Sequence, residues 1–377
     1  MTTKWSLILP LAVAACLLGC AAARAERIHL PPEIINTVDP LRGDQQAVVE
    51  KAVDAALAAI AKAPDAEVAT LCSDLRDPLG QSNSGVFKQA YVSVLERKLP
   101  GVLTLNPPAR PVARCNVMSV FYDLADDEPT PAALLPAVHL GLADRGVGCG
   151  ATIYWAARLA GKLADTGKLP AAEEKGLLAD LASAAVAIEK TTPQASNWSA
   201  LGGINQALAH LNDPAAADEL LAGMERRFPL YIADTGLPVG PERDGLIELY
   251  IKKYTIAPPP TPVVIRLTTI TYRYLDMAGK LCDTDAESLF VPAPESARPD
   301  LRRFIEAASN ILRWASVTLK GPNLQPMPNP LPMQRDWIKV QGVIHTWGQA
   351  LTAAPFKIAE ADLLALVQKK KNEKTPD

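Results

Sequence analysis

The run Tyr154–Thr166, YWAARLAGKLADT, returns as Tyr272–Thr284, YRYLDMAGKLCDT. Seven of the thirteen positions are identical, and six of those fall in AGKL-x-DT. A stretch used twice points to a repeated supersecondary unit, each copy burying its apolar face against its neighbours. Alanine-rich runs favour helix. Ala156, Ala157, Ala160, Gly161 and Ala164 form a small-residue face that lets another helix come close. Glycine costs a helix about 1 kcal/mol relative to alanine, so Gly161 and Gly279 imply a packing role. Lys162 and Lys280 fall near the predicted helix C-termini, where a cation suits the dipole. A phosphate loop is excluded by spacing, because no glycine stands five residues before Gly161 and no hydroxyl follows Lys162.

The two runs anchor a longer, collinear correspondence. The first copy reads as helices over 152–164, 171–190, 198–211 and 214–227. The second reads as helices over 268–282, 300–320, 334–353 and 359–371. Asn197-Trp198 matches Asp336-Trp337, and Gln206-Ala207-Leu208 matches Gln349-Ala350-Leu351. Five prolines from Pro322 to Pro332 supply an insertion in the second copy. Pro258-Pro259-Pro260-Thr261-Pro262 reads as a semi-rigid seam between the copies. The β-branched run Val263–Thr271 leaves a strand open as the alternative there.

Aromatics make up only 5% of the chain and alanine dominates its 49% apolar share, which favours helix over sheet. The expected fold is mostly α, with duplicated helical-hairpin units, as α-solenoid or α-bundle, after an N-terminal segment. The expected divisions are 1–25, 26–130, 131–257, 258–262 and 263–377. In the second division Asp44 caps a helix over Gln45–Lys62 with Val49, Val53, Leu57 and Ile60 on one face. Gly85 precedes another helix, Val86–Leu99, with Phe87, Tyr91, Val94 and Leu95 facing inward. Cys115–Leu124 suits helix or strand, and Ala132–Ala143 a short helix. Asp123, Asp126, Asp127 and Glu128 read as a solvated acidic loop, since the EF-hand ligand spacing is absent.

Residues 1–25 have the pattern of an export signal: Lys4, the apolar run Trp5–Leu18, then small residues. That run is too short to span a bilayer. Val13-Ala14-Ala15-Cys16 and Leu17-Leu18-Gly19-Cys20 both resemble the bacterial lipoprotein box, making Cys16 or Cys20 the lipidation site. Ala23-Arg24-Ala25 instead suits ordinary cleavage before Glu26. The expected location is the periplasm or outer membrane, free or lipid-anchored. Export sets an oxidising compartment, so Cys72, Cys115, Cys149 and Cys282 are disulfide candidates in three alternative pairings.

A net charge of −3 gives no basic surplus for a phosphate backbone, which argues against nucleic-acid partners. No metal cluster with ligand spacing, no cofactor fingerprint and no C-x-x-C occurs in the sequence. Cys149, in the turn Arg145-Gly146-Val147-Gly148-Cys149-Gly150 before a predicted helix, is the leading catalytic candidate, because a helix N-terminus favours thiolate. Its base would come from His29, His139, His210 or His345. His345, nine residues after Asp336, and His210, beside Asp213, also suit half-buried structural roles. For Cys149 too, a disulfided or buried structural role is favoured over catalysis.

Two resemblances bear on function. Gly148-Cys149-Gly150-Ala151 before an apolar helix resembles the nucleophile turn of papain-like and transglutaminase-like hydrolases, without the second cysteine and tryptophan of the papain type. Trp198, Leu201 and Gly202, then an alanine-rich second helix ending before Pro229, resemble one tetratricopeptide hairpin, although Asn205 replaces the usual tyrosine. The latter implies a helical array that binds peptides or proteins. The expected role is a binding or scaffolding module in the bacterial envelope, acting without catalysis. The alternatives are a hydrolase using Cys149, or an enzyme with its cleft between the two helical units.

Overall fold

The structure, a computed structural model, describes residues 28–105, 109–126, 131–191, 195–285, 288–333, 337–365 and 367. The export segment with Cys16 and Cys20, the acidic residues Asp127 and Glu128, Asp336 and the run Lys369–Lys371 lie outside them. The fold is mostly α, with no strand among the described residues. None of their helices is long and apolar enough to cross a membrane. Two compact units divide between Val120 and Phe121.

The first unit holds α1 (Pro32–Ile35), α2 (Gly43–Lys62), α3 (Asp65–Asp74), α4 (Asp77–Gln81), α5 (Gly85–Lys98) and α6 (Pro100–Leu103). On α2 the expected face of Val49, Val53, Leu57 and Ile60 is buried. Ser84 caps α5 by accepting from the Phe87 amide at 3.1 Å. Phe87, Tyr91, Val94 and Leu95 then point into the core. Tyr91 donates to the Leu75 carbonyl at 3.0 Å, giving its buried hydroxyl a partner. α7 (Pro111–Leu124) settles the ambiguous run Cys115–Leu124 as helix and crosses the boundary between the units.

The second unit continues with a 3₁₀ turn (Pro131–Leu134), α8 (Leu135–Leu142), α9 (Cys149–Asp165), α10 (Ala171–Lys190), α11 (Ala195–His210), α12 (Pro214–Ala233) and α13 (Gly240–Leu249). A π-turn (Tyr250–Tyr254), α14 (Thr261–Cys282), α15 (Arg298–Thr318), α16 (Trp337–Thr352) and α17 (Glu360–Leu363) complete it. Alternate helices pack side by side: α9 on α11, α11 on α13, and α13 on α15. A second row runs α8, α10, α12, α14 and α16, again neighbour to neighbour.

Several expectations change. Thr261 and Pro262 are not linker but the first turn of α14, which Pro260 precedes. Proline suits that position because it lacks only an N–H that the first turn leaves unpaired anyway. The β-branched run 263–271 is helical, not a strand. Thr268 and Thr269 donate to the carbonyls of Val264 and Ile265, so these hydroxyls are satisfied within the helix. Pro229 does not end α12 but sits inside it. The final helix is a single turn, and the backbone at Leu364 is extended. The helix and π-turn over 240–254, absent from the sequence reading, form the third member of the first row.

Glycine makes the first row close. A Cβ on Gly203 would stand 2.8 Å from the Tyr154 carbonyl oxygen, and one on Gly161 would stand 3.3 Å from Ala207 Cα. Helices α9 and α11 therefore meet backbone to backbone. In the second run a Cβ on Gly279 would reach 2.5 Å from Ile344 Cδ1 on α16. Both AGKL glycines thus face a neighbouring helix closely, but the surroundings differ. α9 packs most extensively on α11, two helices on, whereas α14 packs most extensively on α15, the next helix.

The paired lysines also reach beyond the dipole role. Lys162 donates to the Tyr122 carbonyl at 2.9 Å and pairs with Asp126 at 2.8 Å. Lys280 donates to the Ala365 carbonyl at 2.9 Å and pairs with Asp276 at 2.7 Å. Asp276 in turn accepts the Ala365 amide at 2.7 Å. One peptide residue of the C-terminal stretch is therefore held at both its N–H and its C=O.

Candidate functional site

Cys149 is the first residue of α9, and the preceding Gly148 adopts φ 70°, a left-handed conformation that glycine takes without strain. Its thiol is half-buried. His139 on α8 turns Nδ1 to Asp180 on α10. His345 is exposed rather than half-buried, and its Nε2 meets the Gln349 amide at 3.1 Å on the same helix. His210 is not paired with Asp213, which caps α12 instead. His210 Nδ1 lies 2.7 Å from Asp165 at an angle unsuited to a hydrogen bond, so that contact is electrostatic. Its Nε2 lies 3.3 Å from Glu248. It thereby joins the ends of α9, α11 and α13.

In the structure Cys72, Cys115, Cys149 and Cys282 are not joined in disulfides. Cys72 belongs to the first unit and Cys282 to the second, and both are buried in apolar cores. Burial pushes each thiol up to about 12, since the thiolate loses its solvation there.

The densest polar cluster is buried. Arg227 Nε donates to Glu242 Oε1 at 2.6 Å and Nη2 donates to Oε2 at 2.8 Å, a bidentate pair. Nη1 reaches Glu189 at 2.9 Å, and Nη2 also reaches Asn205 at 3.2 Å. Asn205 and Tyr231 donate to Glu242, and Trp198 donates to Tyr231. Burial disfavours the Arg227 charge, but Glu242 more than offsets this and raises its pKa. The Tyr231 phenol is raised well above its usual range by burial and then by Glu242. With 1% and 0% of their side chains exposed, Arg227 and Glu242 have no access to a substrate. This cluster fixes α10, α11, α12 and α13 to one another.

The accessible site lies beside the π-turn. At its end the Thr255 amide bonds to the Tyr250 carbonyl five residues back, at 2.9 Å. Such insertions re-aim side chains and recur at functional positions. Here the widened turn sets Tyr250 edge-on to Trp314 of α15, with centroids 5.5 Å apart. Tyr254 stacks on the same indole at 6.0 Å and an interplanar angle of 5°. A groove of about 640 Å³ opens there, lined by Tyr250, Trp314, Val317, Asn310, Arg313 and the non-helical segment 321–324. Val317 is 79% exposed. Arg313 is exposed too and has no ion partner among the described residues. A second, shallower groove of about 520 Å³ runs along α10, where Arg226 is already paired with Glu189 and Glu219.

Comparison with models of known families, with curated proteins and with solved structures finds no match.

The groove residues escaped the sequence reading. The signal was there in Tyr250, Tyr254 and Trp314, three of few aromatics, but nothing local shows that residues sixty apart share a wall. Among the described residues no group of three histidine, cysteine, aspartate or glutamate side chains is placed to hold a metal ion.

Proposed function

We propose that the chain is an exported binding or scaffolding module of a bacterial envelope, and that its working surface is the groove between the π-turn and α15. The observation that carries this reading is the groove's composition. An aromatic wall of Tyr250 and Trp314 stands beside Arg313, an exposed cation without an ion partner among the described residues. Aromatic and arginine side chains dominate binding energy at protein interfaces. The segment 321–324, which belongs to no helix, also lines the groove. An extended acidic peptide segment fits such a site, with apolar side chains on Trp314 and a carboxylate on Arg313. The tetratricopeptide-like hairpin over 198–229 and the signal-like sequence at residues 1–25 support the same reading.

Panning the mature protein against a phage-displayed library of short peptides tests it. Enriched peptides should carry acidic residues, and Trp314→Ala and Arg313→Ala should each weaken them by about tenfold or more. Enrichment unchanged by both substitutions would remove the groove from the argument. Cys149-dependent turnover of a chromogenic ester would replace binding with hydrolysis.

A further inference from the structure

We infer that Arg158, Tyr122 and Tyr154 form a second site, separate in its residues from the groove, that takes an oxyanion. Arg158 lies on α9 within the first AGKL run, and Tyr122 lies in the last turn of α7, inside the second unit. Arg158 Nη1 donates to the Tyr154 hydroxyl at 3.1 Å, and Nη2 donates to the Tyr122 hydroxyl at 3.2 Å. The guanidinium also stands 5.2, 5.8 and 6.0 Å from the ring centroids of Tyr122, Tyr154 and Trp155. The three rings hold it in a half-buried, aromatic setting, where a cation is attracted to the ring faces.

The accounting of donors points to the ligand. A phenol that accepts a hydrogen bond keeps its own O–H to donate. Tyr122 and Tyr154 each accept from Arg158, and no described residue accepts from either hydroxyl. No carboxylate among the described residues pairs with Arg158, and the neighbouring Asp126 is taken by Lys162. One positive charge, two phenolic O–H groups and the remaining guanidinium N–H groups are thus held together without an acceptor among the described residues. Two arginine–phenol bonds fix the fork, so it is preorganised rather than mobile. A group with two or three acceptor oxygens and negative charge satisfies this array: a carboxylate, phosphate or sulfate. It arrives either as a free ion or as the terminal group of a peptide.

The test is calorimetric titration of the mature protein with inorganic phosphate, and separately with a short peptide bearing a free C-terminal carboxylate. Circular dichroism of each variant establishes that the helices are intact. Tyr122→Phe and Tyr154→Phe, which delete one oxygen each, should weaken binding by about tenfold apiece. Arg158→Lys, which keeps the charge and loses the fork, should weaken it by a similar factor. Phosphate saturation identifies a free ion; binding of the peptide alone identifies a carried carboxylate; either supports the site. Weak binding equal in wild type and the double phenylalanine variant would overturn it as unspecific ionic attraction. So would binding seen only after Asp127→Asn with Glu128→Gln, because the chain's own acidic run would then be the occupant.

Discussion

Replacing Arg227 with methionine removes four hydrogen bonds, two of them the bidentate pair to Glu242. Glu242 keeps Asn205 at 3.2 Å and Tyr231 at 3.1 Å, but its carboxylate stays buried with no counter-charge. Breaking a buried pair from one side costs about 3–5 kcal/mol, mostly as the uncompensated charge left behind. In a unit of this size that is a fall in Tm of roughly 6–20 °C. Urea unfolding followed by tryptophan fluorescence reads the loss, and Trp198, bonded to Tyr231 in the cluster, makes the signal local. Arg227→Met with Glu242→Leu removes both charges. It should lose about 2 kcal/mol less than the sum of the two single substitutions, because neighbours in one network do not add. A single variant within about 1 kcal/mol of wild type would refute the reasoning, as would strict additivity.

Four further outcomes follow from the packing and burial. Gly203→Ala should destabilise by about 1–3 kcal/mol in chemical denaturation, since its Cβ would meet the Tyr154 carbonyl oxygen at 2.8 Å. Gly176→Ala, with nothing within 4 Å, should instead stabilise α10 by up to about 1 kcal/mol. A thiol reagent at neutral pH should modify half-buried Cys149 well before Cys72 or Cys282, as mass spectrometry of the native protein would show. The buried thiols also give a pH slope. With folded values near 12 against an ordinary 9.0, their contribution is intact below pH 9 and is lost as pH rises toward about 12. Cys72→Ala should flatten that alkaline loss.

Helices with one-sided periodicity were legible from residues alone. The reading of 171–190 coincides with α10, and α2 and α5 bury the faces the spacing marks. The AGKL glycines were rightly read as packing positions, because only a close neighbour compensates glycine in a helix. Proline misled twice. Pro229 and Pro262 were read as breaks, yet one lies inside a helix and the other in a first turn, where tertiary packing and an already unpaired N–H make them tolerable. The region 240–254 carries Pro241, Gly240 and Gly245, which hid a helix. Gly245 is needed there, since a Cβ would fall 2.7 Å from Asn205 Cβ. Both candidate sites escaped because each joins residues from separate helices, and pairwise distance across a fold has no local trace. His210 shows the same limit: its nearest acid in sequence caps a helix, and its partners come from α9 and α13.

The grip of Asp276 and Lys280 on residue 365 has a consequence for how such a sequence drifts. Both contacts fall on main chain, so they specify the path of the C-terminal stretch and not its chemistry. Ala365 itself is bound only to be small, because it is buried. The two holding residues have no such latitude: losing either leaves the other as an unmatched charge, buried at Asp276 or half-buried at Lys280. In descendants of this chain, positions 276 and 280 should change together or stay, while the residues flanking 365 wander.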